Sequence, residues 1–504
     1  MKQIDGHALQ PKRCLPGRRT REARLRASRV LAILCALCVL CGTVAPVSAE
    51  VLPPDVRFGA VEAFVNAEAA TDAGVGYSRI ILRWDVIQPG GPADWKPANV
   101  PDPYVAAELD AGREVVAILI GTPAWAAVNP ADGARGVPRM DAWAAFARRM
   151  AQHYRGRIHH WIIWNEPDVW QAGHPGQTWT GSVEEYAQLL KTAYLAIKEV
   201  DPAQQVHLAG LTYFWDWSHG RRQYLDRLLD VIVADPQAAA HGYYFDAAIY
   251  HLYFKPLQTP AVLNQAQASL VRHGITGKNL WINETNAPPS EDKVEPPWSK
   301  PRFRVSLEEQ AAFVLQEFSL AFASGASRVS FYKLRNSTDH PESIEPYGLL
   351  RGDDSRRPAF TAYQVATTYL RDFRTARREQ SGTINAVTFD RGSATTTVVW
   401  TTGTARTRVK VRAAAREALL VNERGETQRI VAQGGFYVVD LPAATCLNRG
   451  ECLIGGAPRL IVEEGAARGR KALVAAGGGA TRGDIASRGD IASRWEPSAL
   501  ADVY

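Results

Sequence analysis

Between residues 56 and 333, short runs of β-branched and aromatic residues alternate with longer stretches whose apolar positions recur every three or four residues. The short runs predict strands at Val56–Phe64, Ser78–Trp84, Glu114–Ile120, His159–Trp164, Gln205–Leu211, Phe245–Tyr253, Asn279–Asn283 and Arg328–Lys333. Most are apolar nearly throughout, as expected of parallel strands buried on both faces. The stretches between them predict amphipathic helices. Asp141–Arg155 gathers Trp143, Phe146, Ala147 and Met150 on one face, and Val183–Val200 does the same with Tyr186, Leu189, Leu190, Ala193, Tyr194 and Ile197. Repeated βα units imply an α/β fold with a parallel sheet, and eight of them within residues 50–368 suit a (β/α)8 TIM barrel with some insertions.

After residue 368 the pattern changes. The runs Ala386–Phe389, Thr395–Trp400, Arg408–Val411, Ala418–Val421, Phe436–Leu441 and Arg459–Val462 are short, rich in Val and Thr, and punctuated by Gly, Asn and Pro. Residues 369–464 are therefore expected to form a C-terminal antiparallel β-sandwich packed on the barrel. Residues 465–504 are rich in Ala, Gly and Arg and repeat Arg-Gly-Asp-Ile-Ala-Ser at 482–487 and 488–493. With so little apolar surface to bury, this tail is expected to be disordered.

Charge changes the picture only once it is divided along the chain. Of the formal net charge of +6, residues 1–29 carry +7, which leaves the rest at −1. A nucleic-acid binder carries its positive charge on the folded surface, so that class is disfavoured. The basic segment, the apolar run from Val30 to about Val44, and Val47-Ser48-Ala49 together read as a signal peptide over residues 1–49, cleaved after Ala49. The second reading, an uncleaved membrane anchor, needs a longer span than this run offers. A secreted or periplasmic protein with no stable membrane contact is expected. Cys446 and Cys452 are the pair left after the leader, and a local disulfide suits export. No Cys/His cluster points to a metal, and no cofactor is expected.

Two strands end in carboxylates. His159-His160-Trp161-Ile162-Ile163-Trp164-Asn165-Glu166-Pro167-Asp168 closes the fourth, and Leu280-Trp281-Ile282-Asn283-Glu284-Thr285-Asn286 closes the seventh. The C-terminal ends of barrel strands face the active site, so both carboxylates are expected in one mouth. Two carboxylates in different protonation states are what glycosidic-bond cleavage needs: a neutral acid at the leaving oxygen and an anion beneath the anomeric carbon. Glu166, desolvated beside a charged Glu284, is expected to have a raised pKa.

This pair resembles that of clan A glycoside hydrolases, whose acid/base follows strand four in Asn-Glu-Pro and whose nucleophile ends strand seven. Further stretches are similar to the same clan: Ser78-Arg79 through Gln88-Pro89, Gly121-Thr122-Pro123-Ala124-Trp125-Ala126, Phe245-Asp246 with His251-Leu252-Tyr253, and Tyr347-Gly348-Leu349-Leu350 with Arg357-Pro358-Ala359. The resemblance covers residues 56–368 and lies nearest family 39, the β-xylosidases and bacterial exopolysaccharide hydrolases. It implies a retaining O-glycosidase acting on an oligo- or polysaccharide, with Glu166 as acid/base and Glu284 as nucleophile. It also implies sugar-site roles for Arg79, Trp125, Asn165, His251 and Tyr253: Asn165 at the 2-hydroxyl, Tyr253 orienting Glu284, and Arg79 keeping Glu284 ionised. The chain departs from the pattern at Phe331-Tyr332-Lys333, where a tryptophan flooring the −1 sugar is expected.

Taken alone, either glutamate reads as a solvated residue after a strand; the paired positions favour chemistry. His251 has two open readings, sugar contact or a satisfied buried histidine. His159 and His160 read as packing or cap residues rather than metal ligands. Trp84, Trp125, Trp164, Trp170, Trp179, Trp215, Trp217 and Trp298 lie at or beyond strand ends, where they either stack on sugar faces or fill the core. Trp170, Trp179, Trp215 and Trp217 are the better subsite candidates. A non-catalytic carbohydrate-binding protein and a transglycosylase on the same fold are the rival functions.

Overall fold

The computed structural model describes residues 53–295, 301–337, 346–464 and 472–473. The leader, Trp298 and most of the 465–504 tail lie outside the described residues. From Pro54 onward the described residues form one compact unit.

Eight parallel strands close into a barrel in sequence order: β1 (Phe58–Val61), β2 (Tyr77–Arg83), β3 (Glu114–Ile120), β4 (His160–Ile163), β5 (Gln205–Leu211), β6 (Ala247–Tyr253), β7 (Asn279–Asn286) and β8 (Ala326–Phe331). Side-chain alternation explains why the strands are apolar throughout. Val116, Ile118, Ile162, Ala247, Ile249 and Trp281 fill the barrel interior, whereas Val115, Ala117, Leu119, Ile163, Ala248 and Ile282 face the surrounding helices. His160 packs as expected at the base of this interior, its Nδ1 3.0 Å from Nε2 of His207 with the two rings stacked. Burial, with the nearby Arg328 charge adding, pushes the His160 imidazole down to about 3, so the ring is neutral.

The helices are α1 (Ala67–Asp72), α2 (Trp84–Ile87), α3 (Asp102–Asp110), α4 (Met140–His153), α5 (Val183–Val200), α6 (Phe214–Ser218), α7 (Tyr224–Val233), α8 (Thr259–Arg272), α9 (Leu307–Ala323) and α10 (Pro358–Tyr369). Ser182 and Ser306 open α5 and α9 with reciprocal capping boxes to Glu185 and Glu309.

The C-terminal domain is the expected antiparallel sandwich. Its six-stranded sheet runs β14 (Thr427–Val431), β13 (Glu417–Asn422), β16 (Arg459–Glu464), β11 (Ala394–Thr401), β10 (Ile384–Asp390) and β9 (Thr375–Ser381), and it faces the pair β12 (Thr407–Arg412) and β15 (Phe436–Leu441). Alternation again assigns the faces. Ala386, Val399 and Ile461 pack against Val409, Tyr437 and Val439 of the small sheet, while Val387, Val398, Trp400 and Leu460 join the barrel's core. β9 and β14 were not expected as strands. Both are edges of the sheet, where charged and polar residues replace the apolar pattern. Of the tail expected to be disordered, Ala472 and Leu473 pair with β12 and bond to the Glu379 carboxylate.

Helix α9 lies between barrel and sandwich, which explains why it is buried on nearly every side, polar residues included. Gln316 bonds to Gly455 and Gly456 of the sandwich, and the Glu317 carboxyl lies 2.9 Å from the Thr259 hydroxyl. Burial pushes Glu317 up to about 8. The folded chain therefore keeps a proton that the unfolded chain releases, and stability is lost as pH rises from the ordinary carboxyl range toward 8. Glu317→Gln keeps the shape without the ionisation. It should raise Tm at pH 8 by about 3 °C or more and clearly less at pH 5. Thermal unfolding at both pH values checks this; equal shifts would contradict it.

Candidate active site

The two glutamates meet in one mouth, and each arrives by a local irregularity. Regular alternation along β7 would turn Glu284 outward with Leu280 and Ile282. The register shifts instead: Tyr250 of β6 pairs with Ile282 while the next residue, His251, pairs with Glu284, so Asn283 is an inserted residue. A bulge of this kind re-aims the side chain that follows it. Strand β7 consequently continues to Asn286, three residues beyond its expected end.

At the end of β4 the backbone turns through left-handed conformations at Trp164 (φ 73°) and Glu166 (φ 42°), both rare for side chains of this size. Several bonds hold the turn. Glu166 N donates to Gly210 O at 3.0 Å, Trp164 Nε1 donates to Thr178 O at 2.9 Å, and the Thr178 hydroxyl donates to Asn165 O. Asp168 is buried, and its Oδ2 accepts from the Thr212 amide at 2.7 Å and the Thr212 hydroxyl at 2.8 Å. Burial, then the charges of Asp216 and Glu166, push Asp168 up to about 7.

Five of the expected residues form one contact network. The Arg79 guanidinium bonds to Glu284 Oε1, and the Tyr253 hydroxyl donates to Glu284 Oε2 at 2.6 Å. His251 Nδ1 lies 2.7 Å from Glu166 Oε1 and 3.6 Å from Glu284 Oε2. One oxygen from each carboxylate and one His251 ring nitrogen all lie within 4.8 Å of one another. His251 and Tyr253 share the inward face of β6 with Ala247 and Ile249, as period-two alternation requires. His251 fits only because residue 210 is glycine: a Cβ there would lie 2.0 Å from His251 Nε2. Both carboxylates and Arg79 are buried.

Burial raises the pKa of both glutamates, and their neighbours then separate them. For Glu166, burial prevails over the opposing His251 and the Glu284 charge adds to it, so its carboxyl is raised. For Glu284, the Arg79 charge, then His251 and the Tyr253 hydroxyl, outweigh burial, so its carboxyl is lowered. Glu166, His251 and Glu284 are also the one grouping of potential metal ligands among the described residues, and Glu284 already shares it with the Arg79 cation.

The remaining expected residues stand outside this network. Asn165 is half-buried beside Glu166. Trp125 is half-buried after β3, its Nε1 donating to Gln88 O at 2.7 Å and its ring edge-on to Trp84. His251, within the network, has no exposed surface. Two of the better subsite candidates, Trp179 and Trp215, need correction. Trp84, Trp164, Trp179 and Trp215 are fully buried and pack on one another or on neighbouring aromatics, so they fill the core. Of the four better subsite candidates, Trp217 is half-buried and only Trp170, at 40% exposed, presents a substantial surface. At the departure from the clan pattern, the Tyr332 ring lies 5.8 Å from the Arg79 guanidinium and 5.3 Å from the Tyr347 ring. Tyr347 and the Asn286 amide, which donates to Tyr332 O and Tyr347 O, were not singled out as site residues by the sequence.

Comparison with known proteins agrees with this architecture. Residues 120–285 match a family model described as a family of unknown function (DUF5722). That interval holds both glutamates, Trp125, Asn165, His251 and Tyr253, and excludes Arg79. No curated protein matches the sequence. Among solved structures, the chain is similar to a family 39 glycoside hydrolase from Bacteroides cellulosilyticus WH2, at 18% identity and TM-score 0.61, over 82% of this chain and 81% of that one. It is similar to a family 30 endoxylanase from Clostridium papyrosolvens C71, at 16% identity and TM-score 0.55, over 82% and 97%. A family 39 β-xylosidase from Caulobacter crescentus aligns at 13% identity and TM-score 0.53, over 82% and 96%. At these identities the likeness establishes the fold.

The Arg79 charge leads the groups that hold Glu284 down, so Arg79→Gln should raise the pKa of Glu284. The pKa of Glu166 should rise less, because Arg79 is a minor influence there. NMR titration of the side-chain carboxyls in both proteins checks this; an unmoved Glu284 would contradict it.

Proposed function

We propose that this protein is a retaining glycoside hydrolase that cleaves O-glycosidic bonds of an oligo- or polysaccharide by double displacement. The observation that carries the reading is the pair of buried glutamates with opposite pKa shifts and oxygens within 4.8 Å of one another. A retaining enzyme holds its carboxyl groups about 5–5.5 Å apart, whereas an inverting one needs roughly 6.5–9.5 Å to admit water. Glu166, kept neutral by burial, donates its proton to the leaving oxygen. Glu284, ionised by Arg79 and oriented by Tyr253, attacks the anomeric carbon and forms a glycosyl ester. Glu166, now the base, activates the water that hydrolyses it.

Arg79, Trp125, Asn165, His251 and Tyr253 complete the proposed site, with His251 acting through Glu166 rather than on the sugar. A non-catalytic binding protein gains nothing from two desolvated carboxylates with opposed pKa values, so that rival is disfavoured. The xylanase and xylosidase neighbours make aryl xylosides and xylan the first substrates to try. Export through residues 1–49 is part of the proposal. The Cys446–Cys452 disulfide suits an oxidising compartment, and no helix among the described residues is long and apolar enough to cross a membrane.

Two variants test the roles. Glu284→Gln should reduce turnover to background on every substrate. Glu166→Gln should lose about 10²–10⁴-fold on substrates with poor leaving groups, yet keep the first step on activated phenyl glycosides. The glycosyl ester should then accumulate as a burst, and azide, which needs no general base, should restore turnover as a glycosyl azide of retained configuration. Equal losses of the two variants on activated and unactivated substrates, or a product of inverted configuration, would contradict the assignment.

A further inference from the structure

Near residues 446–454 the sandwich domain meets the chain that follows β6 and β7. Cys446 and Cys452 are joined, and the loop they close sits against the chain that follows β6 and β7. Asn448 holds Arg304 at both backbone groups: its Oδ1 accepts from Arg304 N at 2.9 Å, and its Nδ2 donates to Arg304 O at 2.8 Å. Glu451 forms an ion pair with Lys255 at 2.7 Å. Leu453 and Ile454, just beyond the loop, enter an apolar cluster with Phe254 and Phe303, on which Tyr253 packs. Gln316 then fixes Gly455 and Gly456 to the barrel side.

The contacted residues lead directly to the nucleophile. Lys255 N donates to Tyr253 O at 2.8 Å, and Phe254 between them sits in the left-handed region (φ 65°) with its N bonded to Asn286 O. The Tyr253 hydroxyl bonds to Glu284. Lys255 is only 8% exposed, so its ammonium depends on a nearby carboxylate for compensation. Glu451 supplies one from a loop whose shape is closed by a covalent bond. A strained backbone next to the nucleophile's hydrogen-bond partner persists only when its surroundings over-determine it.

We propose that the Cys446–Cys452 loop is a positioning element of the active site, acting through the Glu451–Lys255 ion pair to hold Tyr253 against Glu284. The inference rests on the glycosidase reading for its kinetic consequence. Glu451 and Lys255 are positioning residues: neither touches the sugar, and both act through Tyr253.

The test uses the full mature chain and the aryl glycoside it hydrolyses fastest. Glu451→Gln should lower kcat about tenfold or more, since small displacements of a reacting group are costly, while KM stays within about twofold. Glu451→Asp should recover part of the loss. The paired change Cys446→Ser and Cys452→Ser should show the same split between kcat and KM. A crystal structure of Glu451→Gln should show the Tyr253 hydroxyl withdrawn from Glu284. Unchanged kcat in Glu451→Gln and the paired serine variant, a loss that only tracks the unfolded fraction, or a Tyr253–Glu284 bond kept at its length would overturn the proposal. If the wild-type chain hydrolyses no glycoside, the glycosidase reading fails, and the Tyr253–Glu284 distance still decides the positioning role.

Discussion

One buried charge organises the mouth of the barrel. Burial by itself raises the pKa of both Glu166 and Glu284. Arg79, projecting inward from β2, breaks that symmetry by bonding to Glu284. Glu166 has no such partner; it has His251 and the Glu284 charge. The two carboxyls are thus shifted in opposite directions because of what surrounds each one, although their side chains are identical.

Holding that arrangement requires irregular backbone on regular strands. The inserted Asn283 turns Glu284 inward, and the left-handed backbone at Glu166 turns its carboxyl toward it. Gly210 leaves room for His251 and also accepts a hydrogen bond from the amide of Glu166, so a single residue of β5 serves both partners. Such departures are costly in isolation and are kept in place by neighbouring structure. Here that structure is the Asp168–Thr212 pair on one side and the apolar cluster behind Tyr253 on the other. The sandwich domain contributes to the second of these supports.

Much of this was legible from residue patterns, and the rest for definite reasons was not. The barrel strands announce themselves because both faces are buried and their runs are apolar throughout. Glu166 and Glu284 stand out because each ends such a run. The bulge at Asn283 leaves no mark in the apolar pattern, so β7 is expected to end three residues early. The edge strands β9 and β14 carry the charges that edges favour and so resemble loops. The tryptophans after strands look alike in sequence whether they stack on a sugar or fill the space between helices and barrel; for Trp84, Trp164, Trp179 and Trp215 the packing decides for the core. The contact of Glu451 with Lys255 joins residues far apart in the chain, and neither residue type announces it.

The measurement that bears most directly on the catalytic assignment is covalent trapping. An activated 2-deoxy-2-fluoro glycoside of the sugar the wild-type chain hydrolyses slows formation of the glycosyl ester and slows its hydrolysis more, so the ester persists. Mass spectrometry of the proteolysed adduct should find one sugar per chain, attached to the peptide containing Glu284 and to no other. An adduct on a different residue would contradict the assignment. So would steady turnover of the parent glycoside with inverted product and no trapped ester.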